Sequence, residues 1–342
     1  MAGGRPGPAD RRMIRVAVLD DYQGVVLTLP YWKRLDGRAA IDLFRDTLAD
    51  EARLAARLAP YEVIVAIRER TRFSASLLAR LPALRHLAMT GHNTGHVDVG
   101  EATRRGILVT ATEGSAASAP EHTIGLMMAL VRRISQEDRA LRQGRWQESV
   151  GVELAGKTLG ILGLGRIGTR MAAFGRLLGM RVLAWGPTLT DDRAAAAGAA
   201  RVELDDVFRA SDVVSIHLRL SEQSRGLVGA RLLSLMKPTA YLVNTARGPI
   251  VDEGALLAVL RGRRIAGAAL DVFDVEPLPP DHPLLGLDNV VLTPHLGYVT
   301  WEAYDTFFRH VVENIVAWLD GQVPARALNP EVLSAGAGRQ PP

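Results

Sequence analysis

Short apolar runs rich in Val, Ile and Leu recur along the chain, separated by stretches whose apolar residues follow helical spacing. Residues 14–19 (IRVAVL), 41–44, 62–66, 84–89 and 107–109 read as strands, with helical stretches at 50–58 and 76–80 between them. Strands alternating with helices imply parallel βα units, so the chain up to residue 110 or so predicts one α/β domain. Thr158–Leu162, Arg181–Trp185, Val213–Ile216, 241–243, 265–270 and 289–292 predict a second sheet. Between the two sets, residues 121–143 predict one helix that buries Ile124, Met127, Met128 and Val131, with Pro120 at its first position. Trp301–Leu319 predicts a long amphipathic helix carrying Phe307, Val311, Ile315 and Trp318 on one side, and no internal repeat is evident.

One junction in this pattern carries chemistry. The strand Thr158–Leu162 runs straight into Gly163, Gly165 and Gly168, a G-x-G-x-x-G spacing, and then into a helical pattern over 167–178. The first glycine permits a tight turn, the second lets backbone approach a pyrophosphate, and the third lets helix pack on strand. The helix N-terminus then offers free N–H groups to phosphate. The spacing alone is weak; its place between a strand and a helix makes it a dinucleotide site. An acidic residue about 20 residues further on commonly binds the ribose 2′-hydroxyl. Here the second strand ends in Trp185, Gly186 and Pro187, with Asp191 and Asp192 several residues on. The choice between NAD and NADP therefore stays open, with NAD favoured.

Bulk properties narrow the rest. A chain of 342 residues, 48% hydrophobic and 23% charged, is a globular protein of about two domains. It has no cysteine, hence no disulfide frame, thiol nucleophile or cysteine metal site. A net charge of +4 hints at nucleic acid, but the arginines are scattered among acids and no basic stripe or aromatic binding motif is present. No run reaches the roughly 18 apolar residues of a membrane span. Residues 1–12 lack the apolar core of a secretory signal and, like 331–342, are expected to be disordered tails.

Candidate site residues cluster after strands. Gly91, His92 and Asn93, within a Thr90–His96 loop, follow a predicted strand, where a parallel sheet faces its ligands. Arg68, Glu69 and Arg70 also follow a strand and read as a solvated charge run. The small, flexible 114–120 segment reads as a hinge into the second domain. Arg247 in NTARGPIVDE, Glu276 in DVFDVEP and His295 in TPHLG each have a dull structural reading alone. Their shared position at or near strand ends in a nucleotide-binding sheet favours the functional one.

Taken together, GLGRIG at 163–168, HLRLSEQSRGLVG from His217, LVNTARGPIVDE from Leu242, AALDVFDVEP from Ala268 and TPHLG from Thr293 resemble the D-isomer-specific 2-hydroxyacid dehydrogenases. That group includes phosphoglycerate, glyoxylate and hydroxypyruvate reductases, and the resemblance runs from about Arg15 to Pro324. It implies two Rossmann-like, doubly wound α/β domains. A dinucleotide-binding domain (116–298) would be inserted into a flavodoxin-like substrate domain (13–115 and 299–330). It places the catalytic arginine, glutamate and histidine on Arg247, Glu276 and His295, and the loop that holds the substrate carboxylate on Gly91, His92 and Asn93. Contacts to the cofactor, NAD or NADP, fall on Thr123, Gly163, Gly165, Arg166, Ile167, Gly168, Trp185, Gly186, His217, Thr245, Ala246, Asp271, His295 and Gly297.

The implied activity is hydride transfer between a nicotinamide cofactor and a small 2-keto or D-2-hydroxy acid. His295 would serve as acid and base, Glu276 would fix its ring, and Arg247 would pair with the substrate carboxylate. Closure of the two domains would exclude water, and no metal is required. The resemblance also implies a cytoplasmic homodimer, with residues 139–146 at its interface. The chain departs from the family pattern at Gly186, at Arg219, where proline is usual, and in the Gly91–His96 loop. Two other readings compete: a dinucleotide-sensing binding protein like the related corepressors, and oxidation of another small acid such as formate or phosphite.

Overall fold

The structure, a computed structural model, describes residues 13–334. Two compact units form: one from the described residues up to Ser115 together with those from Thr300 onward, the other from Ala116–Val299. The second unit is thus inserted in the sequence of the first.

In the first unit, strands β1 (Ile14–Val18), β2 (Ala39–Leu43), β3 (Val63–Ala66), β4 (His86–Met89) and β5 (Leu108–Thr110) form one parallel sheet in the order β2-β1-β3-β4-β5. This is the flavodoxin-like strand order. The connecting helices begin where short polar side chains cap them. Asp50 accepts from the Arg53 amide, Ser74 from that of Leu77 and Asp98 from that of Glu101. Each satisfies a donor that the first helical turn leaves without a partner. Because β3 and β4 are buried on both faces, β3 and the Leu87–Met89 part of β4 read as continuous apolar runs rather than alternating ones. The helix Trp301–Leu319, capped by Thr300, returns to this unit and buries Phe307, Val311, Ile315 and Trp318. The ring of Trp318 lies 5.5 Å from that of His86 on β4.

The second unit is a seven-stranded parallel sheet. Its strands are β6 (Thr158–Leu162), β7 (Arg181–Trp185), β8 (Ala200–Arg201), β9 (Val213–Ile216), β10 (Tyr241–Asn244), β11 (Gly267–Leu270) and β12 (Val290–Leu292). Their order is β12-β11-β10-β9-β6-β7-β8. Successive side chains serve opposite faces: Val213, Val243 and Ala269 belong to one core, and Val214, Leu242 and Ala268 to the other. The strand order reverses between β6 and β9, which is where a doubly wound sheet opens a ligand crevice at its carboxyl edge.

Several expectations change. The helix predicted over 121–143 is two helices, Ser118–Val131 and Ile134–Arg142, because Arg133 adopts a left-handed backbone (φ 55°) that no helix can contain. Pro120 is the third helical residue rather than the first, still within the turn whose N–H groups have no helical partner. Residues 331–334 form a short helix with Val332 buried, where a tail was expected; the adjoining side chain of Asn329 bonds the backbone of Val109 and Ile107. Val299 falls with the second unit, its amide bonded to the Leu296 carbonyl. The expected tails at 1–12 and 335–342 lie outside the described residues.

Candidate active site

Whether a dinucleotide fits the second unit is decided by its glycines. Gly163 has φ +93°, and a Cβ there would stand 2.8 Å from the His217 carbonyl oxygen. A Cβ on Gly168 would stand 2.2 Å from the Gly163 carbonyl oxygen, so only glycine lets the helix Arg166–Leu177 start against β6. Gly165, the N-cap of that helix, has nothing within 4 Å of the same point and no side chain caps the helix. Arg166 is exposed and Ile167 half-buried at the same open end. Two glycines are closed in by backbone and the third faces open space at a helix N-terminus, an arrangement that accepts a pyrophosphate. Gly186, at the end of β7, lies against this turn: a Cβ there would be 3.9 Å from the Cα of Gly163, and Trp185 bonds the Gly163 amide through its carbonyl. His217, at the end of β9, bonds Ser215 Oγ through Nε2 at 2.9 Å. Burial pushes its imidazole down to about 4, so the ring is neutral at pH 7.

The remaining candidates stand on the loops that follow β10, β11 and β12. Asn244, the last residue of β10, shapes the first: its side chain accepts from the Ala246 amide and donates to the Arg247 carbonyl. Arg247 is half-buried, and Nη1 donates to the Ala246 carbonyl at 2.6 Å. A Cβ on Gly248 would fall 2.1 Å from the backbone of Phe273, so glycine there lets this loop press on the one after β11. In that second loop the Phe273 amide donates to Glu276 Oε1 at 2.9 Å, which leaves Oε2 to meet His295 Nδ1 at 2.6 Å.

His295 itself has φ +54°, a left-handed backbone that costs a non-glycine residue about 1–2 kcal/mol and persists only where its surroundings impose it. The imposing group is Asp271, 1% exposed at the end of β11. Its carboxylate accepts from the amides of Leu296 and Gly297 and from Thr293 Oγ1, while its carbonyl accepts from the His295 amide. Burial by itself would raise this carboxyl; hydrogen bonds from His122, Thr293 and the Leu296 amide outweigh it and hold Asp271 below the ordinary carboxylate value. The ring of Tyr298 meets that of His295 edge-on at 5.5 Å. Thr123 Oγ1 lies 2.8 Å from Thr245 Oγ1, joining the helix Ser118–Val131 to the Arg247 loop. Sequence reasoning missed two members of this assembly, Asn244 and His122. Asn244 could have been read from its place immediately before the NTARG turn; His122, on a helix chosen for its apolar spacing, gave no local signal.

In the first unit, Gly91 (φ +81°) follows β4, and its amide donates to Thr112 Oγ1 at 2.7 Å. Of the three expected carboxylate-holding amides, that of Gly91 is therefore already engaged. Those of His92 and Asn93 donate to no group among the described residues, and both residues are exposed. Arg68, Glu69 and Arg70 are not the solvated run expected of them. The Arg68 guanidinium pairs with Glu69 at 3.5 Å and lies over the Phe307 ring, and Nη1 occupies the space a Gly91 side chain would need. Glu69 also accepts from Asn93 Nδ2, and Arg70 stacks on Tyr22. Partners distant in sequence, which local charge cannot disclose, draw these side chains in.

Among the described residues no group of His, Asp and Glu is arranged to hold a metal, and no helix is long and apolar enough to cross a membrane. A doubly wound sheet with a glycine cradle at its switch point, and a Glu–His pair on the loops three and four strands along, is an arrangement suited to a dinucleotide-dependent oxidoreductase.

Comparison with known proteins makes the class specific. The model of the D-isomer specific 2-hydroxyacid dehydrogenase NAD binding domain matches residues 124–297. A glyoxylate reductase of Aeropyrum pernix is 44% identical over 280 residues, 79% of this chain and 83% of that protein. A D-3-phosphoglycerate dehydrogenase of Archaeoglobus fulgidus is 39% identical over 272 residues, 79% of this chain but only 51% of that protein. The crystal structure of a phosphoglycerate oxidoreductase from Vibrio cholerae superposes with a TM-score of 0.86 at 39% identity, covering 90% of this chain and 99% of that one. The chain belongs to the D-isomer specific 2-hydroxyacid dehydrogenase family, and is an NAD(P)-dependent oxidoreductase.

Proposed function

We propose that the protein reduces a small 2-keto acid to the D-2-hydroxy acid, with His295 as the proton donor. The observation that carries this reading is the 2.6 Å contact between Glu276 Oε2 and His295 Nδ1, in a unit that also holds the glycine cradle. With Nδ1 bonded to the carboxylate, Nε2 is the nitrogen that faces a substrate oxygen. The nicotinamide cofactor supplies the hydride that adds to the carbonyl carbon. As the C=O bond opens, the oxygen takes the proton from His295 Nε2, and the product is the alcohol. Arg247, a permanent planar cation, pairs with the substrate carboxylate and polarises the carbonyl. When the cofactor is bound, Asp271 and Thr245 would orient its nicotinamide end, the 163–168 turn would hold its pyrophosphate, and Trp185, Gly186 and His217 would flank its adenosine end. In the other unit the amides of His92 and Asn93 hold a carboxylate.

The Arg68 charge is already opposed by Glu69, which favours an acid with one carboxylate and no phosphate. Glyoxylate and hydroxypyruvate are the substrates of choice. The reductase and dehydrogenase names of its relatives favour catalysis over the sensing role of the corepressors. Assembly as a homodimer belongs to the same reading: Ile134, Leu141, Trp146 and Val150 are 54–89% exposed on one helix and the loop after it. A cytoplasmic location follows from the demand for the cell's nicotinamide pool.

The test is oxidation of NADH and NADPH, side by side, with glyoxylate, hydroxypyruvate, pyruvate and a bulkier 2-keto acid. Turnover supports the reading, and the ratio of the two cofactors decides between NAD and NADP. Tight cofactor binding without turnover on the whole panel overturns it.

A further inference from the structure

His122 has no part in the proposed chemistry, yet its side chain reaches from the helix Ser118–Val131 to the carboxylate that holds the His295 turn. Its Nε2 lies 3.1 Å from Asp271 Oδ1 and 3.0 Å from Thr293 Oγ1. Thr293 gives its hydroxyl hydrogen to the same Oδ1 at 2.6 Å, so both oxygens can only accept from the ring and Nε2 must carry a hydrogen. Asp271 Oδ1 therefore receives three donors, from His122, Thr293 and the Leu296 amide, and Oδ2 receives the Gly297 amide. Three of these four donors, Thr293, Leu296 and Gly297, come from the segment that carries His295. A carboxylate anchored on one side only could rotate about its side-chain bonds and release them. The imidazole supplies an anchor from a different element, and Thr123, its neighbour, ties that same element to Thr245.

We infer that His122 is a positioning residue for the reaction: through Nε2–H it fixes the Asp271 carboxylate, which in turn keeps His295 in its left-handed conformation facing the substrate. The inference rests on His295 being the proton donor. One arm of its test is read without cofactor or substrate, so the two fail separately.

The variants are His122→Leu, which removes the donor, and His122→Gln, whose amide nitrogen can take the place of Nε2. In the protein alone, His122→Leu should speed hydrogen exchange of the Leu296 and Gly297 amides about tenfold, as expected for loss of a hydrogen bond to a charged group. Amides in β11 should keep wild-type exchange. In turnover, kcat should fall about tenfold while KM for the keto acid changes less, because the groups that bind the acid are untouched. His122→Gln should restore both. Should His122→Leu fail to fold, His122→Asn carries the same expectation, since its amide falls short of Asp271. Unchanged exchange at Leu296 and Gly297 overturns the inference. So does faster exchange spread equally through β11, which marks a merely structural residue, and so does a Gln variant as slow as the Leu one.

Discussion

Two alanine substitutions in one turn separate what the glycines do for folding from what they do for the ligand. In Gly168→Ala the added methyl falls 2.2 Å from the Gly163 carbonyl oxygen and 3.1 Å from the Gly163 carbonyl carbon and Ile161 Cγ2. The first two neighbours are backbone and cannot swing aside, so the helix must slide off β6. Overpacking of this kind costs about 1–3 kcal/mol. At about 2–4 °C per kcal/mol for a unit of this size, the Tm should fall by several degrees. In Gly165→Ala the methyl meets nothing within 4 Å, and the residue's φ of −88° is open to alanine. The folded protein loses only an N-cap preference of under about 1 kcal/mol. A pyrophosphate held by this turn would meet that methyl. NADH or NADPH should bind at least about tenfold more weakly, about 1.4 kcal/mol. Thermal unfolding gives the first quantity and titration of cofactor fluorescence the second. Expected are a low Tm with weak binding for Gly168→Ala, and a near-normal Tm with weak binding for Gly165→Ala. A Gly165→Ala protein that binds both cofactors at wild-type affinity would falsify the cradle.

Replacement of His295 by alanine should lower kcat at least about 100-fold with cofactor affinity kept, the usual scale for a lost acid–base group; unchanged turnover removes His295 from the mechanism. Gly91→Ala places a methyl 1.8 Å from Arg68 Nη1 on a backbone with φ +81°, so it should destabilise the first unit by about 1–2 kcal/mol from the backbone alone and raise KM for the keto acid. Wild-type stability and KM in that variant would show that the loop tolerates another shape. His86 is buried and held down to about 3, and His217 to about 4, both below an unfolded value near 6.5. Neutral in the folded state, they contribute stability that is complete above pH 6.5 or so and is lost as the pH falls toward 4, because the unfolded chain then binds the protons. The urea midpoint should drop over that window, and drop less in His86→Gln; a midpoint independent of pH contradicts both assignments.

What could be read from the sequence depended on whether the cause was local. Thr158–Leu162 and Trp301–Leu319 have the ends that the apolar pattern predicts, one closed by glycine and the other opened by the Thr300 cap. Residues 121–143 read as one helix because Ile134 and Leu141 keep up the apolar spacing, although both are exposed and Arg133 has already turned left-handed. Periodicity records spacing and is blind to a single backbone reversal. Glu276 and His295 could be singled out by their place at strand ends, but their separate roles came only through resemblance, since 19 residues separate them and each has an ordinary structural reading alone. The pairing of His122 with Asp271, 149 residues apart, was beyond even that.

The sheet supplies the reason such distant residues meet. β10, β11 and β12 are neighbours in sequence and in the sheet, all parallel, so their carboxyl ends stand in a row. Arg247 follows the first, Asp271 and Glu276 the second, and His295 the third. Parallel strands thus deliver a cation, a carboxylate and an imidazole side by side with no further folding instruction; only their fine aim remains to be set. That aim is set by backbone that side chains cannot crowd, at Gly248 against Phe273, and by one buried carboxylate that gathers the turn behind His295. A left-handed histidine costs free energy at this position, and the chain meets that cost with hydrogen bonds to Asp271; a glycine would satisfy the backbone but lack the imidazole proposed as the proton donor. The strain and the proposed proton donor therefore coincide in one residue, and whatever loosens Asp271 should be felt first at the proton transfer.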